Sequence, residues 1–327
     1  MPVLIGCSPS TGSSLLRRML HRHSEVFCGP ETSLFAKAEL YSDWSSSKNK
    51  LFKKSFFGLT NAGWHNFVGV NIEEGYLWSK LELKSLIDSS DTFSEFAERF
   101  YDRCLKEQNK KLWVEKTPSN AFTLSQFLED FSPEAKVVHI YRHPLDAIAS
   151  LVSRGLTVYN SCALYLLNTS VCMALDGDDR CHSLSYENLV HQPAQVLHDL
   201  CSFLNVNYEE AMLEKTEEEG GVTIMTGWQS DETDPPNVNS IGRFHTLTSE
   251  VQNRILNFIH LMSSELDTKD RTITDIALSC GYELPSLDTV DPAEREVFLI
   301  ERDRDLRKRT FSRNHFRQHN YPIKNPS

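Results

Sequence analysis

The run Gly6-Cys7-Ser8-Pro9-Ser10-Thr11-Gly12-Ser13-Ser14 offers small, hydroxyl-bearing residues between an apolar stretch and a helical pattern. Backbone N–H groups left free at a helix start, reinforced by the helix dipole, bind phosphate, and small side chains let the anion approach. A second pair is Arg142, closing the stretch KVVHIYR, and Ser150 in the segment that follows. Ligands of open α/β sheets bind at such carboxyl ends of strands. At about 100° per residue, Ser150 falls off the stripe made by Leu145, Ile148, Ala149 and Val152, which frees its hydroxyl to share an anion with Arg142. Each feature taken alone also has an ordinary structural explanation. The loop can be a Gly/Ser turn with Ser13 as helix cap, and Arg142 can pair with Asp146 four residues on.

The loop is similar to a Walker A segment but carries Ser13 where that pattern needs lysine. The lysine that contacts the terminal phosphates of a nucleoside triphosphate is therefore missing, which argues against an ATPase or kinase.

Around these residues the sequence predicts alternating strands and helices. Residues 2–6, 26–28, 112–116, 136–142 and 183–186 read as strands. The 136–142 stretch is rich in Val and Ile without strict alternation, as in a parallel strand covered on both faces. Helices are expected over 13–23, from Pro144 onward, and near 191–204, 248–264 and 271–280. Residues 34–111, with Trp44, Trp64 and Trp78, show no period-2 run and read as a helical lobe inserted in the sheet core, placed to shape an acceptor pocket. Residues 216–245 read as a long loop. Residues 294–327 form a charged extension whose 302–317 part is locally basic.

Composition narrows the function classes. In 327 residues, 40% are hydrophobic and 24% charged, and no apolar run approaches the roughly 18 residues of a membrane span. A formal net charge of −11 argues against a nucleic-acid groove or a polyanionic sugar, leaving a small or neutral acceptor. Eight scattered cysteines without a C-x-x-C pair fit a reducing compartment. The opening Pro2-Val3-Leu4-Ile5 lacks the charged region and cleavage site of a secretory signal, so a cytoplasmic location is expected. Despite twelve histidines there is no metal-ligand spacing, and His21, His23, His139 and His143 read as structural or solvated.

In order, PSTGSSLLRRML, FCGPET, VEKTPSN, HIYRHPLDAIAS, LSYENL and SIGRF resemble the superfamily of sulfotransferases that use 3'-phosphoadenosine-5'-phosphosulfate (PAPS). The pattern is most similar to protein-tyrosine sulfotransferases and related bacterial members, and it covers roughly residues 3–245. The resemblance implies an α/β, P-loop NTPase-like three-layer fold, with a central parallel sheet, helices on both faces and an inserted helical lobe, in a single domain over 1–327. It implies that Ser10, Thr11, Gly12, Ser13 and Ser14 bind the 5'-phosphosulfate of PAPS. Arg142 and Ser150 then bind its 3'-phosphate, Tyr186 lies near the adenine, and Ser240 and Arg243 belong to a later donor-contacting segment.

Glu31 becomes the general base in this scheme, with burial in a closed pocket raising its pKa. Lys116 holds charge on the transferring group. The reaction releases adenosine 3',5'-bisphosphate (PAP), requires no metal, and acts on a hydroxyl or amine of a small-molecule, lipid or glycan acceptor. One departure stands out: many relatives carry Arg or Lys where this chain has Ser10, so Lys116, Arg17 or Arg18 must supply that charge. Two other readings stand beside this one, a P-loop nucleotide kinase or NTPase and a non-catalytic donor-binding module.

Overall fold

The computed structural model describes residues 1–52, 75–214, 238–265, 271–287 and 289–312. Trp64, most of the expected 216–245 loop and the basic tail beyond Ser312 lie outside the described residues.

Five parallel strands form one sheet in the order β2-β3-β1-β4-β5. They are β1 (Pro2–Gly6), β2 (Val26–Phe27), β3 (Leu112–Lys116), β4 (Lys136–Tyr141) and β5 (Cys181–Ser185). The register sets Ile5 beside Lys116 and Gly6 beside His139, so the carboxyl ends of the three central strands finish side by side. Every residue of β1 and β3 is buried, which is why neither shows apolar alternation in sequence.

Helix α1 (Ser13–Arg22) follows β1. After β2 the inserted lobe supplies α2 (Ala38–Ser42), α3 (Trp44–Ser47), α4 (Lys80–Asp88) and α5 (Phe93–Glu107), and α6 (Leu124–Asp130) follows β3. One face of the sheet presents Val3, Ile5, Val114, Val138 and Ile140 to Leu16, Met19 and Leu20 of α1 and to Leu197 and Leu200. The other presents Leu4, Phe27, Trp113 and Val137 to the lobe. This is the expected three-layer arrangement. The aromatic residues of the lobe are largely core: Tyr101 stacks on Trp113 at 4.1 Å and Trp44 on Phe96 at 5.2 Å. Aromatic pairs of this kind add about 0.5–1.5 kcal/mol beyond their buried area.

The structure corrects several sequence expectations. Tyr186 does not end a strand. It opens α9 (Tyr186–His191), because the Ser185 side chain accepts from Asn188 N at 3.0 Å and caps the helix. The helix expected near 191–204 starts afresh at a proline, as α10 (Pro193–Phe203). Within α7 (Pro144–Ser153) every residue from Pro144 to Leu151 is buried, Ser150 included although it lies off the apolar stripe. The cover is α8 (Val158–Met173), a helix that the sequence reading missed because its apolar residues fall on every side and give no amphipathic period. Helices α11 (Ser249–Glu265) and α12 (Ile273–Ser279) match expectation. The charged extension begins as α13 (Pro292–Ser312), tied to α8 where Glu301 accepts from Tyr159 N at 2.9 Å and Asp305 accepts from the Thr157 hydroxyl.

Candidate active site

The loop between β1 and α1 carries two left-handed residues, Ser10 (φ 70°) and Gly12 (φ 92°). Thr11 Oγ1 donates to Ser8 O at 2.8 Å and holds the loop's curl. The helix cap is Gly12, not Ser13, and no side chain occupies the cap position. The first-turn N–H groups of α1 thus keep the orientation that suits an anion. Gly12 is required on two counts. Its φ disfavours any Cβ, and a Cβ there would stand 2.3 Å from Cδ2 of Tyr186. Tyr186 in turn lies under the Arg142 guanidinium, 4.7 Å from the ring centroid.

Arg142 leaves β4 directly into the gap between this loop and the segment 238–246. Its Nη1 donates to Ser10 O at 3.0 Å and its Nη2 to Ser240 O. It is 4% exposed, and burial pushes its pKa down, opposed chiefly by Asp146. The alternative ion pair with Asp146 is long, at 3.9 Å. Asp146 is instead an anchor, accepting from Gly242 N at 2.7 Å and from Phe244 N at 2.9 Å. Those two bonds draw Arg243 to the site.

Arg154, just past α7, completes a group of three arginines. Its pKa is lowered by burial and then by the charges of Arg243 and Arg142. Sequence reading missed Arg154, although it follows Ser150 at the i+4 spacing that shares a helix face. Nε of Arg142, Nε of Arg243 and Oγ of Ser10 are buried and, among the described residues, have no hydrogen-bond partner. Buried polar atoms are almost always paired, so three unpaired donors around one loop fit a polyanionic ligand. Ser150 is buried in α7 and, among the described residues, makes no hydrogen bond to Arg142.

The other side of the loop faces the end of β3. Lys116 is 2% exposed, so it is not a surface lysine. Its Nζ donates to Glu31 Oε1 and to Ser14 Oγ, the latter at 3.3 Å. One ammonium therefore touches both the candidate base and the phosphate loop, which puts a positive charge beside the loop that lacks one at Ser10. Arg18 is buried within α1 and Arg17 lies close enough to Cys28 to influence its thiol. The Glu31 side chain is 35% exposed, so the closed pocket expected around it is not seen.

Glu115, the residue before Lys116, went unremarked in the sequence and is fully buried. Its Oε1 accepts from Thr32 N and Thr32 Oγ1, both at 2.9 Å, and from Thr117 Oγ1 at 2.7 Å. Its Oε2 accepts from Asn120 Nδ2 at 2.5 Å. Burial raises its pKa and these four bonds oppose the rise. Hydrogen bonds to a charged group contribute about 1.5–3 kcal/mol each, which explains how a carboxylate is tolerated there.

Fold and site together define a parallel α/β protein with a phosphate loop on its middle strand, a lysine–glutamate pair on one side and an arginine cluster on the other. Residues 2–210 match the sequence profile of the Sulfotransferase family, and the chain belongs to that family. It is 23% identical over 261 residues to protein-tyrosine sulfotransferase 1 of Danio rerio, covering 75% of this chain and 66% of that protein. Against protein-tyrosine sulfotransferase 2 of Gallus gallus it is 24% identical, covering 68% of this chain and 57% of the relative. The chain thus spans less than two thirds of the length of these relatives. The sulfotransferase domain of the Synechococcus PCC 7002 olefin synthase superposes with a TM-score of 0.55 at 19% identity, over 87% of this chain and 95% of that one. The sulfotransferase domain of the curacin biosynthetic pathway gives 0.52 at 23%, over 87% and 99%. Both share the fold.

Proposed function

We propose that this protein transfers the sulfuryl group of PAPS to a hydroxyl or amine acceptor and releases PAP. The observation that carries this reading is the Lys116 ammonium lying between Glu31 and Ser14 of the phosphate loop, opposite the Arg142–Arg154–Arg243 cluster. PAPS has anionic groups at both ends of its ribose, and this chain has a cationic site on each side of one loop. The three unpaired buried donors fit such a molecule.

In this reading the first-turn N–H groups and the hydroxyls of residues 10–14 hold the 5'-phosphosulfate. The arginines and Ser150 take the 3'-phosphate, and Tyr186 supports the nucleoside. Glu31 accepts the proton of the acceptor as its oxygen or nitrogen attacks sulfur, and the bond from sulfur to the phosphate oxygen breaks. Lys116 and the loop N–H groups stabilise the charge gathering on the departing phosphate, so positioning and electrostatics supply the catalysis. The scheme needs no metal.

The tyrosine-directed relatives make a phenolic hydroxyl the first acceptor to try. We take the chain as one catalytic domain, since the 238–246 segment closes onto Asp146 of α7. Burial of six of the eight thiols as small apolar side chains supports a cytoplasmic location.

The test is transfer of radioactive sulfur from PAPS to a panel of phenols, alcohols and amines, with PAP binding followed by calorimetry. Glu31→Gln should bind PAP normally and lose transfer by about 10²–10⁴-fold, the usual contribution of a general base. Normal transfer by that variant would remove Glu31 from the mechanism, and absence of PAP binding in the unaltered protein would overturn the reading.

A further inference from the structure

The end of β3 grips the 29–34 turn with two consecutive residues from opposite faces of the strand. Lys116 takes Glu31 on one face, and Glu115 takes Thr32 on the other. The turn is strained, because Ser33 is a non-glycine residue at φ 54°. Its backbone N–H donates to Thr117 Oγ1 at 3.2 Å, and that hydroxyl donates onward to Glu115. Thr32 Oγ1 also accepts from Leu34 N at 3.2 Å. Three successive residues of the turn are therefore fixed, directly or through one hydroxyl, by a single carboxylate. On its far side Asn120 donates both to Glu115 Oε2 and to Ile5 O, the last carbonyl but one of the strand that feeds the phosphate loop.

We propose that Glu115 is a positioning residue for sulfuryl transfer: through Thr32 and Thr117 it sets the Glu31 carboxylate against Lys116 and the phosphate loop, and it touches neither donor nor acceptor. This rests on the reading of Glu31 as the base. The physical argument is a contrast of constraints. Glu31 is partly exposed and its partner Lys116 is a flexible ammonium, so the backbone of its neighbour adds a rigid hold on its place. The neighbour's amide and hydroxyl both end on a carboxylate with no solvent access. Displacement of a reacting group by about 1 Å can lower a rate by about 100-fold, so a modest loosening of the turn is enough to be read.

Three variants and two readouts test this. Glu115→Gln should slow transfer of sulfur from PAPS to p-nitrophenol by about 10–100-fold while PAP affinity changes by no more than about twofold. Placed on Glu31→Gln, the same change should cost nothing further, since a residue acting through Glu31 has nothing left to position. Should Glu115→Gln fail to fold, Thr32→Val and Thr32→Ser carry the test. Valine, which lacks the hydroxyl, should slow transfer, and serine, which keeps it, should restore it. Independently of any activity, hydrogen exchange of the peptide covering 29–34 should be at least about tenfold faster in Glu115→Gln and in Thr32→Val than in the unaltered protein. Unchanged exchange, or losses that add to that of Glu31→Gln, would overturn the proposal. If the unaltered protein transfers nothing, the sulfuryl-transfer reading fails by itself and the exchange rates alone decide whether Glu115 positions the turn.

Discussion

The two sides of the phosphate loop hold charge in opposite ways. On the β3 side each charged group has partners inside the protein: Glu115 accepts four hydrogen bonds, and Lys116 is shared by Glu31 and Ser14. On the β4 side three arginines gather. The nearby carboxylates are committed elsewhere, Asp146 to the backbone at Gly242 and Phe244, and Glu187 to His143 N and the Tyr282 hydroxyl. A polar cluster whose charged members are all paired rigidifies, because moving one of them leaves another unpaired in a low dielectric. A cluster of arginines with buried donors that lack partners among the described residues suits an anionic ligand, which would supply what those donors lack. In the proposed mechanism the difference separates two tasks, placing a proton acceptor and capturing an anion, that a sequence would present only as scattered charged residues.

The largest expected effect comes from removing the binding side. Arg142→Ala should weaken PAP by about 100-fold or more, the scale for deleting one partner of a buried charge pair. Rising salt should weaken the unaltered protein's affinity as well, as calorimetry across a salt series will show. Salt-independent PAP binding would break the comparison.

A smaller effect is expected at the loop common to both sides. Gly12→Ala introduces a Cβ against Tyr186 in a left-handed position, a strain of about 1–3 kcal/mol, and should weaken PAP by roughly tenfold while also slowing transfer. Loss of transfer with intact PAP affinity would place Gly12 on the β3 side alone.

The smallest effect sharpens the comparison by setting its pH floor. His139 on β4 is buried, neither ring nitrogen has a hydrogen-bond partner among the described residues, and burial lowers its pKa from 6.5 to about 3. A folded pKa below the unfolded one means stability fully present above pH 6.5 and lost as pH falls toward 3. Between pH 6.5 and about pH 5 the loss should be on the order of 1–2 kcal/mol, and His139→Phe should flatten it in urea titrations at a series of pH values. An unchanged slope would assign the acid sensitivity to other groups.

Much of this was legible in the sequence because strand–loop–helix units write their function locally. The loop at residues 6–14 and Arg142 at a strand end announce themselves by position, and the family pattern directed attention to Glu31 and Lys116. What stayed hidden is tertiary. Glu115 acquires meaning only when Thr32, 83 residues earlier, folds onto it. Arg154 acquires it only when Asp146 draws in Gly242 and Phe244, and with them Arg243. Helix α8 escaped because burial on all sides erases the period by which helices are recognised. The burial of Ser150 was hidden likewise: it lies off the apolar stripe, but no face of α7 is left to solvent along its first two turns.

The order β3-β1-β4 at the centre of the sheet also acts as a ruler. Lys116 ends one strand and Arg142 follows another, with the loop strand between them, so two interstrand spacings, about 10 Å in all, separate their backbones. That length is fixed by main-chain hydrogen bonds and is blind to side-chain identity. Substitutions can retune how strongly either end holds a ligand, but the span of molecule that bridges the two ends is written into the backbone, and altering it would take a strand inserted or lost.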